Sequence, residues 1–359
     1  MKHVSELVKS LNEYFGWNKA RMTCFVMMLL SLFMTRTVNL QKLACVACGK
    51  ALQSSCYRRL QRFFSQFEID YDRLARFIFQ LFFTASGQVY LTMDRTNWQW
   101  GKVNINILTL GIVFKGTAIP IYWSLLNKRG NSNTAERIKL IQKFIDCFGK
   151  PVIRGLLADR EFIGGEWLSW LQQHGVPFCI RVRNNLLTTN ARGLEVDMDA
   201  LFHGLKPQEE RIIPGARKLI GCEVYLAGLR LDSGELLIVA TNSPLSAPIK
   251  TYSFRWEIET LFGCLKRRGF NLEDTRLTQM HRIKKMFALL AIAFCWAHKT
   301  GEWLSQIKPI KIKKHGRPAV SIFRYGLDYI AQAITRISHS IKKFQYCIII
   351  IQQPQRCNC

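Results

Sequence analysis

From residue 1 to about 85 the apolar residues recur at helical spacing, and strand-like alternation is absent. Leu40–Cys48, a break at Gly49 and a second run from Ser54 to Phe64 have helix-turn-helix form, with a serine cap near the start of the second helix. An ordinary helical bundle with a basic surface fits the same pattern. Asp70–Phe83 continues as an amphipathic helix. After Gly87 the period changes. Gln88–Met93 reads as a strand ended by Asp94 and Arg95, and Asn104–Phe114 with Thr117–Leu125 reads as a hairpin around Lys115-Gly116. Asn133, with Glu136 three positions on, predicts a capping box and a helix to about Phe148. Val152–Ala158 is a strand ended by Asp159, Gly164–His174 a helix closed by Gly175, and Phe178–Val182 a further strand.

Three strands, helix, strand, helix, strand is the order of an α/β domain whose central sheet mixes parallel and antiparallel strands. Residues 183–250 differ. Short alternating runs such as Glu223–Leu231 and Leu236–Thr241 are broken by Gly, Pro and Asp-Ser-Gly, which predicts a β-rich insertion. A helix over 252–266 follows, then a basic stretch, an apolar helix and a basic tail from Lys308.

Composition adds a partner to this outline. The chain has 359 residues, 48% of them hydrophobic, enough for a sizeable core and two or three domains. Lys and Arg number 51 against 25 Asp and Glu, a net charge of +26, which favours a polyanion and above all nucleic acid. A generally basic protein or a basic membrane-surface protein shares that excess. The 12 cysteines are scattered; Cys45-x2-Cys48 lacks a second pair and Cys357-x-Cys359 stands alone, so reduced thiols in the cytoplasm are expected rather than zinc or disulfides. The first twenty-one residues are charged and amphipathic, unlike a secretory signal. The apolar stretches Met22–Thr35 and Met286–Ala297 fall short of the ~20 residues that span a bilayer, so core helices and no membrane are expected.

The most informative chemistry lies in YSFRWEIETLFGCLK. At about 100° per residue, Tyr252, Arg255, Glu259 and Lys266 fall within about 60° of one another on a helix. One stripe thus presents a phenol, a guanidinium, a carboxylate and an ammonium, a set suited to a metal ion beside a phosphodiester. Glu257 points roughly opposite, and Ile258, Leu261, Phe262 and Leu265 form the flank that packs inward. The plain alternative is a surface helix with an Arg255–Glu259 pair worth tenths of a kcal/mol.

Asp94 and Asp159 share a context, because each ends an apolar strand and each is followed by Arg. Carboxylates at strand ends project into a crevice without disrupting the sheet. With Glu259 they make three acids, enough to hold two divalent cations about 4 Å apart, and magnesium suits such oxygen donors. Taken singly, each aspartate also fits a turn or cap, and Asp159 precedes Glu161 and Gly164 as a cap would.

Asp94 in LTMDRTNW, Asp159 in LLADREF and the Tyr-x2-Arg-x3-Glu-x6-Lys spacing resemble the DDE transposases of bacterial insertion sequences, in the subgroup with the Tyr-Arg-Glu-Lys signature, insertion-sequence family four. The likeness covers roughly residues 85–300, and the long gap between Asp159 and Glu259 is where that subgroup carries its β-strand insertion. The resemblance implies an RNase H-like catalytic fold and cut-and-paste transposition. Asp94, Asp159 and Glu259 would hold two Mg²⁺ or Mn²⁺ ions for phosphodiester hydrolysis, after which the freed 3′-hydroxyl is the nucleophile for strand transfer. In the subgroup that hydroxyl first makes a hairpin on the opposite strand. Tyr252, Arg255 and Lys266 would bind phosphates near the cut. In some relatives an aromatic residue of the insertion stacks on a flipped base, for which Phe202 and Tyr225 are the candidates here.

The expected organisation is a helical DNA-binding region over 1–85, catalytic core over 86–182, β-rich insertion over 183–250, a second core segment with the glutamate helix over 251–300, and a basic region over 301–359. Arg58, Arg59 and Arg62 on the second N-terminal helix, and Arg267 and Arg268 after the stripe, are further DNA-contact candidates. The implied partners are double-stranded DNA, as terminal inverted repeats and target, and a second copy of the chain in a synaptic homodimer. An RNase H-like nuclease or resolvase without strand transfer would use the same carboxylates, and a non-enzymatic DNA-binding protein would need only the N-terminal helices.

Overall fold

The computed structural model describes residues 2–47, 51–84, 87–336 and 341–352. Cys48, Gly49, Cys357 and Cys359 therefore lie outside the described residues. Five helices come first: α1 (Lys2–Phe15), α2 (Lys19–Thr35), α3 (Leu40–Ala47), α4 (Gln53–Gln66) and α5 (Tyr71–Phe82). Strands β1 (Val89–Trp100), β2 (Val103–Phe114) and β3 (Thr117–Leu125) follow, then α6 (Thr134–Phe148), β4 (Ile153–Ala158), α7 (Gly165–Gln173) and β5 (Phe178–Val182). Six strands come next: β6 (Leu187–Thr189), β7 (Glu195–Asp197), β8 (Glu210–Ile212), β9 (Arg217–Leu219), β10 (Cys222–Arg230) and β11 (Leu236–Thr241). The last helices are α8 (Pro248–Ser253), α9 (Glu257–Leu265), α10 (Met280–Ile307), α11 (Ile322–Thr335) and α12 (Ile341–Gln352).

The chain divides into two compact units, one of residues 1–85, 97–105 and 261–359, the other of 86–96 and 106–260. The first is helical. Its core is built on α2 and α10, the two apolar stretches of the sequence, which are buried from Met22 to Phe33 almost throughout and from Met286 to Ala297. Among the described residues no single helix is long and apolar enough to cross a membrane. Helices α10 and α11 pack at a glycine contact: a Cβ on Gly326 would sit 1.8 Å from the Ala297 carbonyl oxygen, so no side chain fits there. Asp70 caps α5 by accepting from the Asp72 and Arg73 N–H groups at 3.0 and 2.9 Å. The serine cap expected for α4 is not made. Leu52 holds the N-cap position without a side-chain hydrogen bond, and its carbonyl already accepts from Cys56 N–H at 3.1 Å, so Ser54 and Ser55 fall inside the first turn.

The second unit is built on a sheet of order β3-β2-β1-β4-β5-β11-β10, extended through β9, β6 and β7. β1 with β4 and β4 with β5 are parallel, whereas β2 with β3 and β5 with β11 are antiparallel. This is the mixed sheet expected from the order of elements. Within 183–250, β11 pairs with β5 through Ile238 opposite Val182, so the last two strands of that segment extend the central sheet. The β2–β3 hairpin turns at Lys115 and Gly116, both at positive φ (48° and 89°), the backbone that a two-residue turn between twisted strands requires. Asn133 and Glu136 form the expected capping box at the start of α6. One boundary differs from expectation. β1 does not end at Asp94 but runs on to Trp100 beside β2, whereas its neighbour β4 stops at Ala158.

Candidate active site

Parallel pairing places the two aspartates side by side. Met93 is the register partner of Ala158, so Asp94 and Asp159 are the next residues on neighbouring strands, where β4 ends and a crevice opens. Their local bonding is the same. Asp94 Oδ1 accepts from Arg95 N–H at 2.7 Å, and Asp159 Oδ1 accepts from Arg160 N–H at 2.7 Å. The second bond is the cap of the short 3-10 turn Arg160–Phe162, so the capping role of Asp159 and its place in the crevice coexist.

A salt-bridged clamp fixes the two chain segments. Arg95 Nε and Nη2 reach Glu161 Oε1 and Oε2 at 2.7 and 2.8 Å, a bidentate pair linking the residue after Asp94 to the turn after Asp159. Arg95 also donates to Asn106, Asn131 and the Gly130 carbonyl. Buried Arg137, on α6, donates to the Glu161 and Ser132 carbonyls. The sequence signal was present, as each aspartate is followed by Arg, but only the fold reveals the Arg95–Glu161 partnership.

The segment that carries Glu259 is not one regular helix. α8 ends at Ser253, a 3-10 turn spans Phe254–Trp256, and α9 begins at Glu257. The turn sends Arg255 into the crevice, where it is 3% exposed, and leaves Trp256 56% exposed. Arg255 Nη2 donates to Glu259 Oε1 at 2.7 Å, and Nη1 lies 3.4 Å from Asp94 Oδ2. The Tyr252 hydroxyl donates to Asp159 Oδ1 at 3.3 Å. Two of the four stripe residues, Tyr252 and Arg255, thus bind the two aspartates, and Glu259 is joined to Asp94 through Arg255. Lys266 does not: it follows the end of α9, pairs with Glu273 at 2.9 Å and lies 5.9 Å from the Trp98 ring centre. The expected single stripe is corrected to this extent, because the 3-10 turn changes the helical period and the helix stops before Lys266.

Burial pushes the Asp94 carboxyl up to about 7, against the Arg95 N–H and Arg255, which favour its charged form. Burial also raises the Tyr252 phenol, so it remains protonated and donates to Asp159. Glu259 is the most open of the three acids, its side chain 41% exposed.

The donor chemistry fits a hard divalent cation: every ligand candidate is a carboxylate oxygen, and Asp94 and Glu259 already turn to one shared cationic group. As they stand, no three His, Cys, Asp or Glu side chains among the described residues converge closely enough to enclose an ion. The expected trio is resolved into a pair joined by Arg255 and an aspartate bound by Tyr252. The guanidinium offsets the repulsion that the carboxylates would otherwise feel in a buried crevice.

Glu257 faces away from this group, as its position predicts, but it is not a solvent-facing bystander. It is 9% exposed and accepts from Phe114 N–H at 2.6 Å and Gly116 N–H at 2.9 Å, pinning the β2–β3 turn to the start of α9. Ile258, Leu261, Phe262 and Leu265 are buried, as expected of the inward flank. Of the two stacking candidates, Phe202 is fully buried against Gly228 and cannot meet a base, whereas Tyr225 is half-buried and lines an apolar cavity with Pro214, Leu245 and Pro248. Arg58, Arg59 and Arg62 are exposed on α4, and Arg267 and Arg268 are exposed after α9.

Residues 92–296 match the model of the family described as Transposase DDE domain, more than half of the 359-residue chain. No curated protein matches the chain. Among solved structures the chain is similar to piggyBac transposase, in a cryo-EM structure of its synaptic complex with hairpin DNA, at 12% identity and a TM-score of 0.48 over 100% of this chain and 84% of that one. The matched segment holds both aspartates, Glu259 and the strands that carry them, and its mixed sheet flanked by helices is the expected RNase H-like α/β fold.

Proposed function

Because the chain belongs to the transposase DDE domain family and is by that membership a transposase, we propose that it cleaves DNA at the ends of an insertion sequence and joins them to target DNA by cut-and-paste transposition. Within the family we place it in the Tyr-Arg-Glu-Lys subgroup, insertion-sequence family four. The observation that carries this reading is the pairing of Met93 with Ala158, which sets Asp94 and Asp159 side by side in reach of the segment bearing Tyr252, Arg255 and Glu259.

Asp94, Asp159 and Glu259 would hold two Mg²⁺ or Mn²⁺ ions, which when bound activate water and stabilise the leaving oxygen of a phosphodiester. The protein's own residues do the rest. The Arg95–Glu161 clamp keeps both aspartates in register. Arg255, a planar fork beside Asp94 and Glu259, would offer N–H donors to a phosphate held there. Tyr252 supplies a neutral O–H beside Asp159. Lys266, Arg267 and Arg268 follow the end of α9 as further phosphate contacts. Double-stranded DNA is the substrate, and a homodimer on paired ends is the working assembly. The segments 1–85, 86–182, 183–250, 251–300 and 301–359 take the roles of DNA-binding region, first core part, insertion, second core part and basic end.

Incubation of the protein with pre-cut element ends, a supercoiled plasmid and Mg²⁺ tests this. Joined products support transposition. Cleavage without joining favours a nuclease, and binding without either reaction favours a DNA-binding protein that has lost catalysis.

A further inference from the structure

A cavity of about 180 Å³ opens in the helical unit between α4 and the segment leading into α10. Tyr57 and Gln61, one turn apart on α4, form one wall, and Arg276, Thr278, Gln279 and Arg282 form the other. The volume is below the ~300 Å³ of typical drug-sized sites and well above one water's ~30 Å³, so it suits a small group.

The chemistry of the lining selects an anion. Two arginines, Arg276 and Arg282, are among its lining residues and no acid is. Asp274, which does not line the cavity, pairs with Arg276 Nε only at the long distance of 3.8 Å through Oδ1, while its Oδ2 accepts from Thr37 at 2.7 Å and Lys42 at 3.3 Å. Arg282 Nε is buried and meets no acceptor among the described residues. Arg276 is held with its guanidinium 5.7 Å from the Trp100 ring centre and its backbone at φ 52°, a conformation that costs a non-glycine residue free energy. The cavity also sits at the start of the 28-residue α10, where Gln279 provides no side-chain cap, so the first-turn N–H groups and the helix dipole favour negative charge. Beside it, exposed Arg58 and Arg62 flank Tyr57 and Gln61 on α4.

We propose that this cavity binds a phosphodiester group of duplex DNA, at a site made by α4 and the start of α10 and separate in composition from the carboxylate crevice. The proposal rests on the reading of the chain as a DNA transposase. Arg276 and Arg282 clamp the phosphate, Tyr57 and Gln61 donate to it, and the exposed arginines of α4 follow the neighbouring backbone. Such contacts fix the register of the protein on DNA without reading bases.

The test is the salt dependence of duplex binding by the full-length protein. Each phosphate neutralised contributes about 0.9 to the slope of log K against log salt. The double variant Arg276→Gln/Arg282→Gln should lower that slope by about 1 and weaken binding uniformly across sequences, while Arg192→Gln, in an exposed loop of the other unit, should leave it unchanged. Gln61→Glu, which puts a negative charge in the cavity without removing an arginine, should give the same loss and decides the matter if the double variant does not fold. Unchanged slopes in both variants, in a protein whose wild type binds DNA and joins ends, overturn the cavity and leave the proposed function standing. A wild type with no affinity for duplex DNA overturns both. Inorganic phosphate is the second probe. Weakening of wild-type DNA binding by phosphate beyond chloride of equal ionic strength, lost in the variants, supports the site; phosphate binding that is lost in the variants with no change in DNA slope overturns the DNA assignment.

Discussion

Arg255 Nη1 lies 3.4 Å from Asp94 Oδ2, across from a second guanidinium nitrogen that holds Glu259. The residue is buried and sits between carboxylates contributed by a strand and a helix. A lysine there would be a single point charge, unable to address both acids with a planar fork. Arg255→Lys is therefore expected to reduce end cleavage by about tenfold to a hundredfold, equivalent to about 1.4–3 kcal/mol of charged hydrogen bonding, with far less effect on overall DNA affinity. Cleavage rates under single turnover, beside a binding isotherm, check it; wild-type cleavage by the lysine variant contradicts it.

Asp94 gives the metal-free protein a pH signature. Burial raises its carboxyl to about 7, whereas an unfolded aspartate titrates near ~3.9. Between these values the folded protein holds a proton that the unfolded chain has released. The stability linked to this group is thus fully present below about pH 4 and is lost as pH rises through about 7. In chelator, urea unfolding should show the wild type losing stability relative to Asp94→Asn on going from about pH 5 to about pH 8. Parallel pH profiles for the two proteins contradict the burial argument.

Glu257 shows how the fold changes a prediction drawn from helical geometry. Its direction, away from Arg255 and Glu259, followed from spacing alone, and makes it a natural control for Glu259. Its partners did not follow, because Phe114 and Gly116 are brought to it by a hairpin some 140 positions away. Glu257→Gln keeps one acceptor and turns an amide donor toward an N–H, so it should cost about 1–3 kcal/mol of stability while folded protein cleaves near the wild-type rate. Thermal unfolding and cleavage per folded molecule separate the two; loss of cleavage at full stability contradicts the assignment.

Other features divide along the same line. The β2–β3 hairpin, the Asn133–Glu136 capping box and the inward flank of α9 were legible because each is decided by residues close in sequence. The end of β1 is not legible locally, because Asp94 and Arg95 resemble a strand end and only pairing with β2 carries the strand further. Lys266 falls outside the stripe because one helical period does not hold through a segment that contains a 3-10 turn and whose helix ends at Leu265. The Arg95–Glu161 clamp joins residues 66 positions apart, and no local pattern announces it.

The central claim is that Asp94, Asp159 and Glu259 act as one metal-dependent catalytic group. The most direct measurement is Mg²⁺-dependent cleavage of cognate end DNA by Asp94→Asn, Asp159→Asn and Glu259→Gln, with end binding measured on the same preparations. Each variant is expected to bind ends as the wild type does and to lose cleavage by at least about a thousandfold, the scale of removing an essential catalytic group. Metal-dependent cleavage retained by Glu259→Gln would contradict the assignment.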